Sequence, residues 1–557
     1  MTLDDGRRMF DVHLLISKGS FITGIKGMRN FQLPGRSPVY AANGMAATSH
    51  PLATMTAIQI LTQGGNAMDA AVAACAVQGV VEPQATGIGG DCFVLYTPRG
   101  RGPVIAYNGS GRAPRAATLD RYREKGIENI DPHSPHAVTI PGAVDAWARM
   151  TEDHGTMGLD KLLQPAIGFA RDGYPVHSRI AFDWARHTET VSRDATTASI
   201  FLPHGRAPNS GDMHTQPLLA ETLSQIASHG RNGFYKDAVA QDLVTYLNSL
   251  GGLHSMEDFE SACGEYVEPI STHYHGYEVV QCPPNGQGLT ALVILNILGE
   301  LGIPKGDPLS ADRLHLEIEA ARLAYQERNR YVADPAKADV PVMALLSREH
   351  TRGLCAAVDQ KMAMPSLPQI DLPNHGDTVY LCVVDRNNNA VSMINSIYTV
   401  FGSGLTGPSS GVLLQNRGMS FCLDPDHVNC IAPQKRPMHT IIPGMLKKEH
   451  KVVMPFGVMG GQYQPMGHAH LLSNFLDFGL DIQEAIDLAR VYPSPEGDVE
   501  VEDGIPDPVR QELIRRGHNL IRAEAPIGGG QAICIDWKKG VLMGGSDPRK
   551  DGCALGF

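Results

Sequence analysis

The feature that most limits what this chain can fold into is an abrupt boundary. From Lys361 the sequence runs MAMPSLPQIDLPNHGD up to Asp377, with three prolines and few formers of regular structure, so an exposed, extended stretch is expected. It passes at once into TVYLCVVD, a strongly β-forming run, then RNNN as a turn and AVSMINSIYTVF as a second strand. A loose segment feeding straight into a buried strand is a natural processing site. A cut there leaves the strand packed and frees its first residue.

Elsewhere, residues 45–78 read as helical. SHPLATMTAIQILTQGG carries apolar residues at helical spacing and closes on Gly64-Gly65, and a second, Ala-rich helix opens at Asn66 and runs through Val80. The second is apolar nearly all round, which implies burial between layers. Further helices are expected near 142–154, 159–172, 218–228, 237–249 and 311–330, with a β-rich run at 267–282. Residues 1–27 read as a ragged leader ahead of Met28, because Ser17 to Ser20 interrupt the apolar run that an export signal needs.

Composition excludes several classes. A net charge of −12 with no long basic run leaves no footprint for nucleic acid or an anionic membrane. No 18-residue apolar stretch occurs, and the ten scattered cysteines contain no C-x-x-C pair, so a cytoplasmic protein with no membrane partner is expected. His468 and His470, two apart on an expected helix, point to different faces and make a poor metal pair.

A threonine hydroxyl is a weak nucleophile without a base beside it. When Thr opens a chain, its own α-amine, with a pKa of about 7.7–8.0, serves as that base. Thr378 would stand in that position at the head of the first strand. The same hydroxyl attacking the Asp377 carbonyl would explain a self-inflicted cut between Asp377 and Thr378. No metal or cofactor is required by this chemistry.

The run GDTVYLCVVDRNNNAVSMINSIYTVFGSG resembles the start of the small subunit in the γ-glutamyltranspeptidase family of N-terminal-nucleophile hydrolases. Other matching segments follow in the family's order: GGNAMDAAVA, EPQATGIGGD, IPGAVDAW, PPNGQG, GVLLQNRGMSF, KRPMHTIIPGM, GVMGG and SDPRKDG. The resemblance spans about Met28 to Phe557. It implies a four-layer αββα sandwich of the α+β class, with a large subunit at 28–377 and a small subunit at 378–557, and a pair of αβ units as the assembly to look for. It also implies Thr378 as nucleophile, Ser396 as its hydroxyl helper, and the backbone N–H groups of Gly460 and Gly461 as the oxyanion site.

Departures from the family pattern bear on substrate. The Arg of its R-E-x-A-P motif is replaced by Ser110, with Arg112 two residues on, and the Asp that holds a glutamyl amine is replaced by Ser420. A Ser-Ser pair becomes His439-Thr440, an Asn becomes Tyr398, and Arg417 has appeared. Arg417, His439, Thr440 and Arg112 favour a carboxylate, whereas the means of holding a glutamyl amine is lost. With NFQLPGRSPV, GSGRAP, NRG and RPMHTIIPGM, the chain is similar to the oxamate amidohydrolase branch, which implies a small acid amide as substrate. A γ-glutamyl hydrolase or transferase, a β-lactam side-chain acylase and a non-catalytic unprocessed scaffold are the alternatives.

Overall fold

The computed structural model describes residues 35–364, 378–495 and 497–557; the expected leader and Asp377 lie outside the described residues. The Ala-rich run forms the helix Ala67–Val81, and every one of its residues is buried. Its start is set by a reciprocal cap. Asn66 Oδ1 accepts from the Met68 and Asp69 N–H groups, while Asp69 Oδ2 accepts from the Asn66 N–H. The expectation of helix from residue 45 is corrected. Met45–Thr48 is a strand and the helix begins at Pro51, whose ring suits the first helical turn and cannot continue one from upstream.

Two seven-stranded sheets dominate the fold. One has the order Cys553–Gly556, Met45–Thr48, Val379–Val384, Ala390–Ser396, Asp91–Thr97, Ile105–Gly109, Glu265–Val267. The other runs Val39–Ala41, Val541–Ser546, Gly529–Asp536, Lys451–Met459, Gly444–Lys448, Tyr277–Gln281, Ile270–Tyr274. Phe93, Leu95, Tyr380, Cys382 and Ile394 from the first sheet meet Val280, Met445, Val452 and Ile533 from the second in a shared apolar layer. Helices Pro51–Thr62, Ala67–Val81 and Ala143–His154 cover the outside of the first sheet. Gly288–Leu301, Ala311–Tyr331 and Gln464–Leu476 cover the second. The result is the αββα sandwich.

Gly288–Leu301 (GLTALVILNILGEL) has no counterpart among the expected helices. Ten of its fourteen residues are buried, so it has no polar stripe to display a period. The second central strand is shorter than read. It ends at Ser396, and Tyr398 (φ 83°) and Phe401 (φ 60°) then turn the backbone through the left-handed region. Among the described residues no helix is long and apolar enough to cross a membrane.

Candidate active site

Strand register alone assembles the first part of the site. Val379 pairs with Asn395, so Thr378, just before its strand, stands beside Ser396 at the end of the neighbouring one. Ser396 pairs in turn with Asp91 at the head of Asp91–Thr97. Thr378, Ser396 and Asp91 thus form a row across one end of the sheet, all fully or almost fully buried. The Thr378 hydroxyl donates to Ser396 Oγ at 3.1 Å. Ser396 Oγ also accepts from the Tyr398 N–H at 2.9 Å and from Arg417 Nη2 at 3.4 Å, which fixes the hydroxyl in place.

Arg417 begins a short 3₁₀ turn, Arg417–Ser420, and its guanidinium is fully buried. Nη1 donates to Thr440 Oγ1 at 2.8 Å, and Cζ lies 3.8 Å from the centre of the Tyr398 ring. None of these partners is a carboxylate. Among the described residues its Nε has no hydrogen-bond partner. Burial pulls the guanidinium down to about 10, which leaves it charged at neutral pH. Among the described residues this buried cation is held by hydroxyls and a ring, an arrangement whose chemistry suits an anion.

His439 is occupied otherwise. Its Nδ1 accepts from the Ile441 N–H at 3.3 Å, so Nε2 carries the proton and donates to Asp91 Oδ2 at 3.0 Å. Burial first, then the neighbouring Arg417 charge, pulls its pKa to about 4, so the ring is neutral. Both ring nitrogens are spent within the protein. Asp91 Oδ1 collects the Gly111 and Gly142 N–H groups and Gln415 Nε2 at 2.9 to 3.0 Å. Asp91 therefore ties four segments to the row that carries Thr378.

The second sheet supplies backbone donors. Strand Lys451–Met459 ends in Gly460 (φ 124°) and Gly461 (φ 57°), which lead into the helix Gln464–Leu476. A Cβ on Gly460 would lie 2.8 Å from Gly528 Cα, so this turn requires glycine for space as well as for its φ. The Gly460 carbonyl accepts from the Tyr463 N–H at 3.0 Å. In a trans peptide the Gly461 N–H then points the opposite way, out from the helix start, where helix ends favour negative charge.

The gamma-glutamyltranspeptidase profile matches residues 53–557. The chain belongs to this family. It is 37% identical to the glutathione hydrolase-like YwrD proenzyme of Bacillus subtilis, over 93% of this chain and 99% of that protein. It is 34% identical to the oxamate amidohydrolase proenzyme of Klebsiella pneumoniae, over 93% of this chain and 99% of that one. The crystal structure of cephalosporin acylase from Bacillus halodurans superposes with a TM-score of 0.88 at 39% identity, covering 95% of this chain and 99% of that one. Membership of the gamma-glutamyltranspeptidase family makes the protein a hydrolase with an N-terminal nucleophile.

The remaining residues expected from the gamma-glutamyltranspeptidase pattern fall at varying removes. Ser420 is buried and its hydroxyl lacks a partner among the described residues, while its carbonyl accepts from Asn429 Nδ2. Arg112 is half-buried and engaged elsewhere, with Nη1 on the Gln434 carbonyl at 3.1 Å and on Asp334 at 3.6 Å. Ser110, in the same strand row as Asp91, accepts from Asn285 Nδ2 at 3.0 Å. Sequence reasoning passed over Asp91, Gln287 and Gln462. Asp91 and Gln287 sit inside quoted segments (EPQATGIGGD, PPNGQG) and Gln462 directly follows GVMGG, and only spatial proximity distinguishes them there.

One buried trio has metal-ligand types: donor atoms of His315, Glu319 and His518 lie within 4.8 Å of one another. Their contacts are already protein contacts. His315 Nε2 donates to the Asp359 carbonyl, its Nδ1 meets His518 Nε2 at 2.8 Å, and Glu319 accepts from Arg322 and the Met364 N–H. The trio anchors the chain just ahead of residue 365. His468 and His470 turn to separate partners, Gln281 and Glu317.

Proposed function

We propose that the chain cleaves itself between Asp377 and Thr378, and that the resulting 28–377 and 378–557 subunits together hydrolyse the amide of a small carboxylate-bearing substrate, oxamate above all. The observation that carries this reading is Arg417, a fully buried cation without a carboxylate partner among the described residues, in hydrogen-bond contact with the hydroxyl that pairs with Thr378.

The reaction then runs as follows. The substrate carboxylate pairs with Arg417, placing its amide carbon against Thr378 Oγ1. The freed α-amine of Thr378 takes the hydroxyl proton as Oγ1 adds to that carbon. Negative charge on the former carbonyl oxygen is met by the Gly460 and Gly461 N–H groups. The C–N bond breaks, the amine's proton leaves with ammonia, and an ester to Thr378 remains. Water, deprotonated by the same amine, hydrolyses the ester and restores the enzyme. Oxamate and water give oxalate and ammonium.

The oxamate amidohydrolase relative supports this substrate, as does Ser420, which offers no anion for a glutamyl ammonium. The cephalosporin acylase neighbour supports a second reading, an acylase for acidic side chains, in which Arg417 would hold the far carboxylate. Ammonia release from oxamate, measured beside p-nitroaniline release from γ-glutamyl-p-nitroanilide and side-chain release from an acidic cephalosporin, separates these cases. Turnover of the glutamyl compound in preference to oxamate would overturn the proposal.

A further inference from the structure

A second arginine lies behind the glycine turn. Arg328, on the helix Ala311–Tyr331, is buried, and burial lowers its pKa below the ordinary arginine value. Its Nη1 donates to Gln287 Oε1 at 2.8 Å and to Gln462 Oε1, its Nε donates to Asn329 Oδ1 at 2.9 Å, and its guanidinium lies 4.8 Å from the centre of the Tyr325 ring. Among the described residues these partners include no carboxylate.

The two glutamines lead directly to the proposed oxyanion turn. Gln287 Nε2 donates to the Gly461 carbonyl at 3.0 Å and to the Thr440 carbonyl at 2.8 Å. Thr440 is the residue whose hydroxyl holds Arg417. Gln462 follows Gly461 in the chain; its carbonyl accepts from the Tyr325 hydroxyl at 2.8 Å, and its Nε2 reaches the Tyr398 hydroxyl at 3.5 Å. Arg328 accordingly sets the amide orientation of both glutamines. With Oε1 of each held by a guanidinium donor, Nε2 of each is committed to the turn, to Thr440 and to Tyr398. A glycine pair at positive φ has little stiffness of its own, so its direction is imposed from outside.

We propose that Arg328 is a positioning residue for the reaction: acting through Gln287 and Gln462, it holds the Gly460–Gly461 peptide groups facing the developing oxyanion and sets the distance from that turn to Arg417. The inference rests on the proposed role of the glycine pair. Its buried charge also biases the region towards negative charge, which grows at the oxyanion as the reaction proceeds. The effect therefore falls on the transition state more than on the bound substrate.

The test compares wild type, Arg328→Met, Arg328→Lys and Gln462→Met, each as the full chain, for self-cleavage on gels and for kcat and KM on oxamate, or on γ-glutamyl-p-nitroanilide if wild type prefers it. The expected result is a two-chain Arg328→Met protein with kcat reduced about 10²-fold, as a misplaced donor costs, and KM within about twofold of wild type. Arg328→Lys should recover part of kcat. An unchanged kcat, or a raised KM at constant kcat, overturns the inference. If Arg328→Met does not fold, Gln462→Met breaks the same link from the turn, and a normal kcat there is equally fatal. Thr378→Ala runs in parallel. An inactive Thr378→Ala beside fully active Arg328 variants sinks only the positioning role, whereas an active Thr378→Ala sinks the proposed function and this inference with it.

Discussion

Replacing Arg417 by Met should raise KM for a carboxylate substrate while leaving the empty protein as stable as before, or more so. Burial holds the guanidinium at about 10, and each pH unit of displacement is worth about 1.36 kcal/mol, so the charged form stands roughly 3 kcal/mol above its level in water. That balance already includes the neighbouring Tyr398, and Nε gains nothing from the described residues. A bound carboxylate removes the penalty by pairing with the charge. Losing roughly 3 kcal/mol of binding corresponds to an increase of about 10²-fold in KM, since 1.4 kcal/mol is about tenfold. Met fills a similar volume without a charge to desolvate, so thermal unfolding of the ligand-free variant should occur at or above the wild-type temperature. Oxalate should raise the unfolding temperature of wild type and have little effect on Arg417→Met. The assays are ammonia release against substrate concentration and thermal unfolding with and without oxalate. A variant with unchanged KM and a clearly lower unfolding temperature would show that Arg417 is a structural cation and that the site reading is wrong.

Other expectations follow from the same geometry. Thr378→Ala should remain one chain on a denaturing gel and release no ammonia; a single-chain wild type with full activity would remove the free amine from the mechanism. Gly460→Ala should lose activity sharply, because the new Cβ meets Gly528 Cα at 2.8 Å at a φ of 124°; kinetics equal to wild type would place the oxyanion elsewhere. Stability should fall on mild acidification. His50, His214, His254, His439, His468 and His518 are held at about 3 to 4, chiefly by burial, so they stay neutral in the folded state while the unfolded chain takes up protons below about 6.5. Because the folded pKa is the lower one, this stability is complete above about 6.5 and is lost as pH falls towards 4. At pH 5 each such group costs about 2 kcal/mol. A thermal midpoint that stays flat between pH 7 and pH 5 would contradict this.

Much of the outcome is visible in the linear chain, for reasons of covalent and local physics. The β-forming runs on either side of RNNN and the Ala-rich helix that opens at Asn66 depend on near neighbours, and those elements form as expected, though the second strand stops at Ser396; most of the Pro-rich stretch before Thr378 lies outside the described residues. Ordered motifs also identify the family, because each records a local backbone demand. Pairings between distant segments leave no such trace. Register across three strands brings Asp91 beside Ser396 and Thr378, and turns His439 into a neutral partner of Asp91 in place of a free cation. Folding directs Arg112 towards Asp334 and Arg328 towards the glycine turn, though nothing near either residue in the sequence tells them apart. A charge acquires its role from the dielectric around it and the partner opposite it, and both are set by segments that only folding brings together.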